Sequence, residues 1–121
     1  MKALIFLGLT IAVPAAQTPP PSVAGPWIVR ADVSGNQSES NCAFTQKDAD
    51  LSGSCKTDRG TVMITGKVEG KTVSWQFDTQ YEGQTLTVYY SGTSESADKI
   101  TGTINVQPMN VSGEFTATKT K

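Results

Sequence analysis

The stretch Thr61–Gln80, TVMITGKVEGKTVSWQFDTQ, reads as two strands joined by a tight turn. Val62, Ile64, Gly66 and Val68 alternate with Thr61, Met63, Thr65 and Lys67. Val73, Trp75, Phe77 and Thr79 then alternate with Ser74, Gln76 and Asp78. Alternation with period two, in a run rich in Val, Ile, Thr and aromatics, marks strands with one face buried. Gly70-Lys71 makes a two-residue turn between them. That turn sets Val68 opposite Val73, Gly66 opposite Trp75 and Ile64 opposite Phe77. All three pairs fall on one face, so turn and pattern select the same register.

The same alternation extends in both directions. Trp27, Val29, Ala31 and Val33 share a face of the first strand. The polar stretch Ser34 to Ser40 reads as a loop, and Asn41 to Gln46 as a second strand with Cys42 and Phe44 inward. Lys47 to Asp50 turns into a third strand, with Leu51, Gly53 and Cys55 inward. Thr57-Asp58-Arg59-Gly60 leads into the central hairpin. Beyond it, a turn at Glu82-Gly83 sets Phe77 opposite Val88 and Trp75 opposite Tyr90. The Ser-rich stretch Thr93 to Lys99 reads as a loop. Ile100, Gly102, Ile104 and Val106 face inward on strand seven, with Gly102 opposite Tyr90 and beside Phe115. After a turn at Gln107 to Asn110, Val111, Gly113, Phe115 and Ala117 face inward on strand eight. No stretch has helical period. The predicted fold is all-β, an eight-stranded antiparallel up-and-down meander closed into a barrel.

The 121 residues allow one small domain. Met1-Lys2 and the apolar run Ala3 to Val13, ending at Ala15-Ala16, form a signal-peptide pattern over residues 1–16. The run is too short to span a bilayer, so no transmembrane segment is expected after cleavage. Residues 17–24, with three consecutive prolines, form an extended linker. Residues 25–121 form the barrel domain. The expected location is secreted or periplasmic.

The formal charge is −1 and no Lys/Arg run occurs, which argues against nucleic acid and polybasic membrane binding. Histidine is absent, so the commonest general base and transition-metal ligand are missing. No Ser-His-Asp or Cys-His arrangement can form. The carboxylates of Asp48 and Asp50 sit together in one turn rather than opposed across a cleft. The chain reads as a non-enzyme with no cofactor and no metal site.

Two cysteines remain. Centring the second hairpin on Asp48-Ala49 sets Cys42 opposite Cys55, and Phe44 opposite Gly53. Opposed residues have Cα atoms about 4.5–5.5 Å apart, within disulfide reach, and an oxidising compartment favours the bond.

One motif recurs: apolar, Ser or Thr, Gly, at Leu51-Ser52-Gly53, Ile64-Thr65-Gly66, Tyr90-Ser91-Gly92, Ile100-Thr101-Gly102 and Val111-Ser112-Gly113. Every glycine falls on the inward face. Inward glycines let strands coil for closure under covering aromatics, or they leave room for a ligand.

With Gly25-Pro26-Trp27 opening a meander, the chain resembles the calycins, the lipocalin and avidin group. Leu51-Ser52-Gly53, Ile64-Thr65-Gly66-Lys67-Val68 and Val73-Ser74-Trp75 are similar to avidin-like strands. The whole resembles short secreted bacterial barrels of unassigned function. Cys55 stands where an avidin-like strand favours a ring-stacking Tyr. Lys119 is the nearest match to the lipocalin Arg that packs over the first Trp. The start and single disulfide also look like bacterial inhibitors of secreted metalloproteases, which insert an N-terminal segment into the protease cleft.

Three readings follow. The barrel binds a small apolar or aromatic ligand, lined by Phe44, Trp75, Phe77, Tyr90 and Phe115, with entry past Arg59 and Tyr81. The same five aromatics would equally serve as core packing. Alternatively the chain is a protein-binding module acting through its N-terminal segment or loops. The third reading is an envelope-associated structural protein, suggested by the outward rows of Ser and Thr.

Overall fold

A computed structural model describes residues 22–120. The signal-peptide pattern and most of the Pro-rich stretch lie outside the described residues. The eight strands are β1 (Gly25–Val33), β2 (Asn36–Lys47), β3 (Asp50–Thr57), β4 (Gly60–Glu69), β5 (Thr72–Tyr81), β6 (Gln84–Ser96), β7 (Lys99–Gln107) and β8 (Val111–Lys119). They pair in sequence order, all antiparallel, and β1 closes on β8. This is the all-β, eight-stranded up-and-down barrel that the alternation predicts, and no helix occurs among the described residues.

The expected registers hold where turn and alternation agree. Val68 pairs with Val73 and Gly66 with Trp75. Cys42 pairs with Cys55 and Phe44 with Gly53. Phe77 pairs with Val88 and Trp75 with Tyr90. Cys42 and Cys55 form a disulfide with Cα atoms 4.0 Å apart.

Four expectations are corrected. The first two concern segments read as loops. Ser34 to Ser40 is instead a two-residue turn, Ser34-Gly35, followed by the first residues of β2. Both turn residues have positive φ, 54° and 82°, as a type I′ hairpin requires. Thr93 to Lys99 is likewise the end of β6, a turn at Ala97-Asp98 and the start of β7, with a bulge between Ser94 and Ser96. At a barrel rim both strand faces can be wet, so polar runs extend strands there without alternation.

The third correction concerns register. Gly102 faces Gly92, and Tyr90 faces Ile104; Gly102 does lie beside Phe115. The slip is two residues, which leaves every side chain on its expected face. The fourth concerns the central hairpin. Its ladder stops at Thr65 and Gln76, so Ile64 and Phe77 do not pair. Below that point β4 and β5 are joined only to their outer neighbours, β3 and β6.

The inward glycines are explained by close approach of neighbouring strands. A Cβ on Gly66 would enter the carbonyl oxygen of Ser74 and crowd Trp75 Cα. A Cβ on Gly102 would meet the backbone of Ser91 and Gly92. Gly53 adds a φ of 143°, outside the range of L side chains, and a Cβ there would strike the Ala43 carbonyl. Closure, rather than ligand space, accounts for these three positions.

The two ends of the barrel differ. One end carries the Asp48, Gly70 and Asp98 turns and the first and last described residues. Here backbone bonds lace hairpin to hairpin: Val68 N–H donates to Ala49 at 2.8 Å, Ser94 to Lys71 at 2.7 Å, Lys119 to Asp98 at 2.9 Å, and Thr120 to Pro26 at 2.9 Å. Trp27, Val68, Val73, Ile100 and Ala117 fill it, all at most 1% exposed. Val23 belongs to this plug: its N–H donates to Gln46 Oε1 at 2.8 Å, and its carbonyl accepts from Trp27 Nε1 at 2.8 Å. The Lys119 ammonium lies over the Trp27 ring, 5.9 Å from its centroid.

Candidate functional site: the aromatic stack and the open mouth

The aromatic rows of four strands meet in the middle of the barrel. Trp75 of β5 stacks on Tyr90 of β6, with centroids 4.9 Å apart and planes 11° from parallel. Phe115 of β8 stands edge-on to both rings, 5.2 Å from each centroid. Phe44 of β2 packs 5.0 Å from Trp75 and links the group to Trp27 at 6.3 Å. Phe44, Trp75, Tyr90 and Phe115 are buried and form a packed layer. Phe77 sits one step toward the other end, 6.1 Å from Tyr90, and is half-buried.

Past this layer the inward side chains are less completely covered, although Leu86 of β6, opposite Thr79, is buried. The inward side chains Val33, Val62, Phe77, Thr79, Val88, Val106 and Val111 are all partly exposed. They form an apolar mouth ringed by the turns at Ser34-Gly35, Asp58-Arg59, Glu82-Gly83 and Pro108 to Asn110. Among the described residues, no hydrogen bond joins one of these turns to another. The Arg59 guanidinium lies over the Tyr81 ring at 5.2 Å. The structure thus brings Phe77, Arg59 and Tyr81 to the mouth and puts Phe44, Trp75, Tyr90 and Phe115 in the layer beneath it.

Tyr90 is the polar feature of the interior. Its side chain is buried among Trp75, Phe77 and Phe115, and no described residue hydrogen-bonds its hydroxyl. A buried hydroxyl without a partner costs about 1–3 kcal/mol, so such a group invites a water or a ligand atom. Burial also pushes its pKa up from 10.0 to about 12. The sign follows directly. The unfolded chain loses this proton near pH 10, while the folded chain holds it to about pH 12, so stability present below pH 10 is lost as the pH rises through that window. Urea midpoints measured from pH 9 to 12 should fall by the equivalent of about 2 kcal/mol more in the wild type than in Tyr90→Phe. Parallel curves for the two would contradict this placement of Tyr90.

A second concavity lies on the outside of the barrel. It is a groove of about 900 Å³ walled by Arg30, Asp32, Glu39, Thr103 and Glu114. Arg30 and Glu39 pair across it at 3.5 Å. Its walls are mostly charged, amide or hydroxyl side chains, and Phe115 of the aromatic layer borders it beside Gly102. The mouth offers apolar surface beside the aromatic layer, which the mostly polar groove does not, and it is the better match to an aromatic ligand. Among the described residues no cluster of three potential metal ligands occurs. No helix of the described residues is long and apolar enough to cross a membrane.

No protein-family model and no curated protein matches the chain. Solved structures do. A redesigned beta barrel, b11L5F_LGL, superposes with a TM-score of 0.67 at 15% identity, over 82% of this chain and 92% of that one. The redesigned beta barrel mFAP1, bound to DFHBI, gives 0.60 at 15% identity, covering 80% and 94%. The redesigned beta barrel mFAP0, bound to DFHBI, gives 0.58 at 17% identity, covering 80% and 98%. At these identities the likeness establishes the fold alone: this chain is a closed, eight-stranded β-barrel similar to these redesigned barrels.

Proposed function

We propose that the chain is an exported, non-catalytic barrel that binds a small aromatic ligand in its open half. The observation that carries this is the set of partly exposed inward apolar side chains next to the buried Tyr90, whose hydroxyl has no hydrogen-bond partner among the described residues. An eight-stranded barrel encloses room for side chains or for one small ligand. Here the side chains of one half are sealed, and most of those in the other half are only partly covered. Two similar barrels are bound to DFHBI, which supports a ligand at this kind of site. Export is supported by the signal-peptide pattern of residues 1–16 and by the disulfide, which suits an oxidising compartment.

The neutral dye N-phenyl-1-naphthylamine tests the reading. It should brighten on mixing with the protein and quench tryptophan emission, because Trp75 lies directly beneath Phe77. A dye signal equal to that in buffer, up to the solubility limit, would overturn it.

A further inference from the structure

The seam between β4 and β5 is unlike the other junctions of the barrel. β5 pairs with β6 along its whole length, and β3 pairs with β4 down to Thr57 and Gly60. The β4–β5 ladder covers only Thr65–Glu69 and Thr72–Gln76. Hydrogen-bonded pairs alternate along an antiparallel ladder, starting from Glu69 and Thr72 beside the tight turn. That alternation turns the N–H and C=O groups of Thr61 and Met63 toward the seam from one side, and those of Asp78 and Gln80 from the other. The Asp78 and Gln80 side chains are bound away from it: Thr87 Oγ1 donates to Asp78 Oδ1 at 2.7 Å, and Gln80 Nε2 donates to Thr85 Oγ1 at 2.7 Å. Met63, 72% exposed, and Tyr81, 41% exposed, flank the opening.

Arg59 stands at the end of this seam. Its turn is ordered by Thr57, whose Oγ1 donates to the Gly60 carbonyl at 2.9 Å and accepts from Arg59 N–H at 3.1 Å. Arg59 is the one basic residue on the four turns around the mouth; Asp58 and Glu82 are the acidic ones. Among the described residues neither lies within ion-pair distance of Arg59, which rests on the Tyr81 ring instead. A guanidinium held over an aromatic face keeps its edge N–H donors free for a planar anion. From Phe77 to Tyr81 the strand rises about 13 Å, the length of a molecule of two or more fused or linked rings.

We infer that the ligand is an elongated aromatic anion, with its rings against Phe77 and Tyr81 along the β4–β5 seam and its carboxylate, sulfonate or phenolate on Arg59. This rests on the proposed aromatic-ligand function and names the class of ligand. The unpaired N–H groups of the seam supply further donors to the charged end.

A pair of dyes separates the two ideas. 8-Anilinonaphthalene-1-sulfonate and N-phenyl-1-naphthylamine share one ring system and differ in the sulfonate. The sulfonate dye should bind the wild-type protein about tenfold tighter, a margin expected of one charge-assisted contact. Its affinity should fall with added salt. In Arg59→Gln the two dyes should bind alike, and Arg59→Lys should restore part of the difference. Equal affinities in the wild type would overturn the anion inference while leaving the aromatic site standing. A preference that survives in Arg59→Gln would also overturn it, by moving the charge contact elsewhere. Failure of both dyes to bind would remove the aromatic site and the inference together.

Discussion

Gly66→Val should lower stability by about 3 kcal/mol or more, whereas Thr65→Val should change it by no more than about 0.5 kcal/mol. The two residues are neighbours in β4 and carry the same new side chain; Gly→Val gains strand propensity while Thr→Val barely changes it, so a larger loss at Gly66 must come from packing. What differs is the face. Thr65 points to water. At Gly66 the first added carbon already meets the Ser74 carbonyl and Trp75 Cα. Those are backbone atoms of the paired strand, which no side-chain rotation can move aside. Relief requires β5 to shift, and Trp75 anchors the aromatic layer. Overpacking costs about 1–3 kcal/mol when side chains can yield, so a backbone obstruction belongs at or above the upper end. Urea midpoints compare the two variants directly. Matching midpoints would mean that the inward and outward faces of β4 are reversed.

The second large effect is expected from the disulfide. Cys42 and Cys55 are thirteen residues apart and both buried, on the inner face of the second hairpin. Closing a loop of that size restricts the unfolded chain by about 3 kcal/mol on the entropic model. For a domain this small, net stability is about 5–15 kcal/mol, so the bond is a large fraction of it. Unfolding in urea with and without reductant should therefore give clearly separated midpoints. Intact mass after alkylation should show no labelled thiol until reductant is added. Two labelled thiols in unreduced, natively expressed protein would contradict the pairing.

Much of this fold is legible in the residues, for a specific reason. In the hairpins at Asp48-Ala49, Gly70-Lys71 and Glu82-Gly83, the turn and the alternation specify the same register independently. The pairings Cys42–Cys55, Gly66–Trp75 and Phe77–Val88 follow. Where one signal is missing, the reading fails. Asn36 to Ser40 and Thr93 to Ser96 are polar on both faces, so only the short turns at Ser34-Gly35 and Ala97-Asp98 mark them as hairpins. The Gly in Ser34-Gly35 was the available sign. Gly102 pairs with Gly92 rather than Tyr90 because the turn lies late in the polar stretch, at Ala97-Asp98, with one residue bulged out near Ser94; alternation cannot detect the net even shift.

The site was legible in its parts and not in its layering. Trp75, Phe77, Tyr90, Phe44 and Phe115 share the inward face, as alternation requires. Which of them are sealed and which border the mouth depends on the tilt of the closed barrel, which no local pattern encodes. The seam is the clearest case. Ile64 and Phe77 are both inward and in register, yet their strands part. The close crossing at Gly66 and Ser74 fixes one point, and sheet twist carries β4 and β5 away from each other below it. Arg59 and Tyr81, separated by the whole central hairpin in sequence, meet across that gap.

One end of this barrel is closed, and the proposed function puts an aromatic ligand at the other. Methyl chemical shifts of the valines, followed by NMR while N-phenyl-1-naphthylamine is added to the wild-type protein, test it most directly. Ring currents from a dye in the mouth should move the methyls of Val62, Val88 and Val106. Those of Val68 and Val73, sealed in the laced end, should stay in place. Shifts confined to Val68 and Val73, or no valine shift at saturating dye, would contradict it.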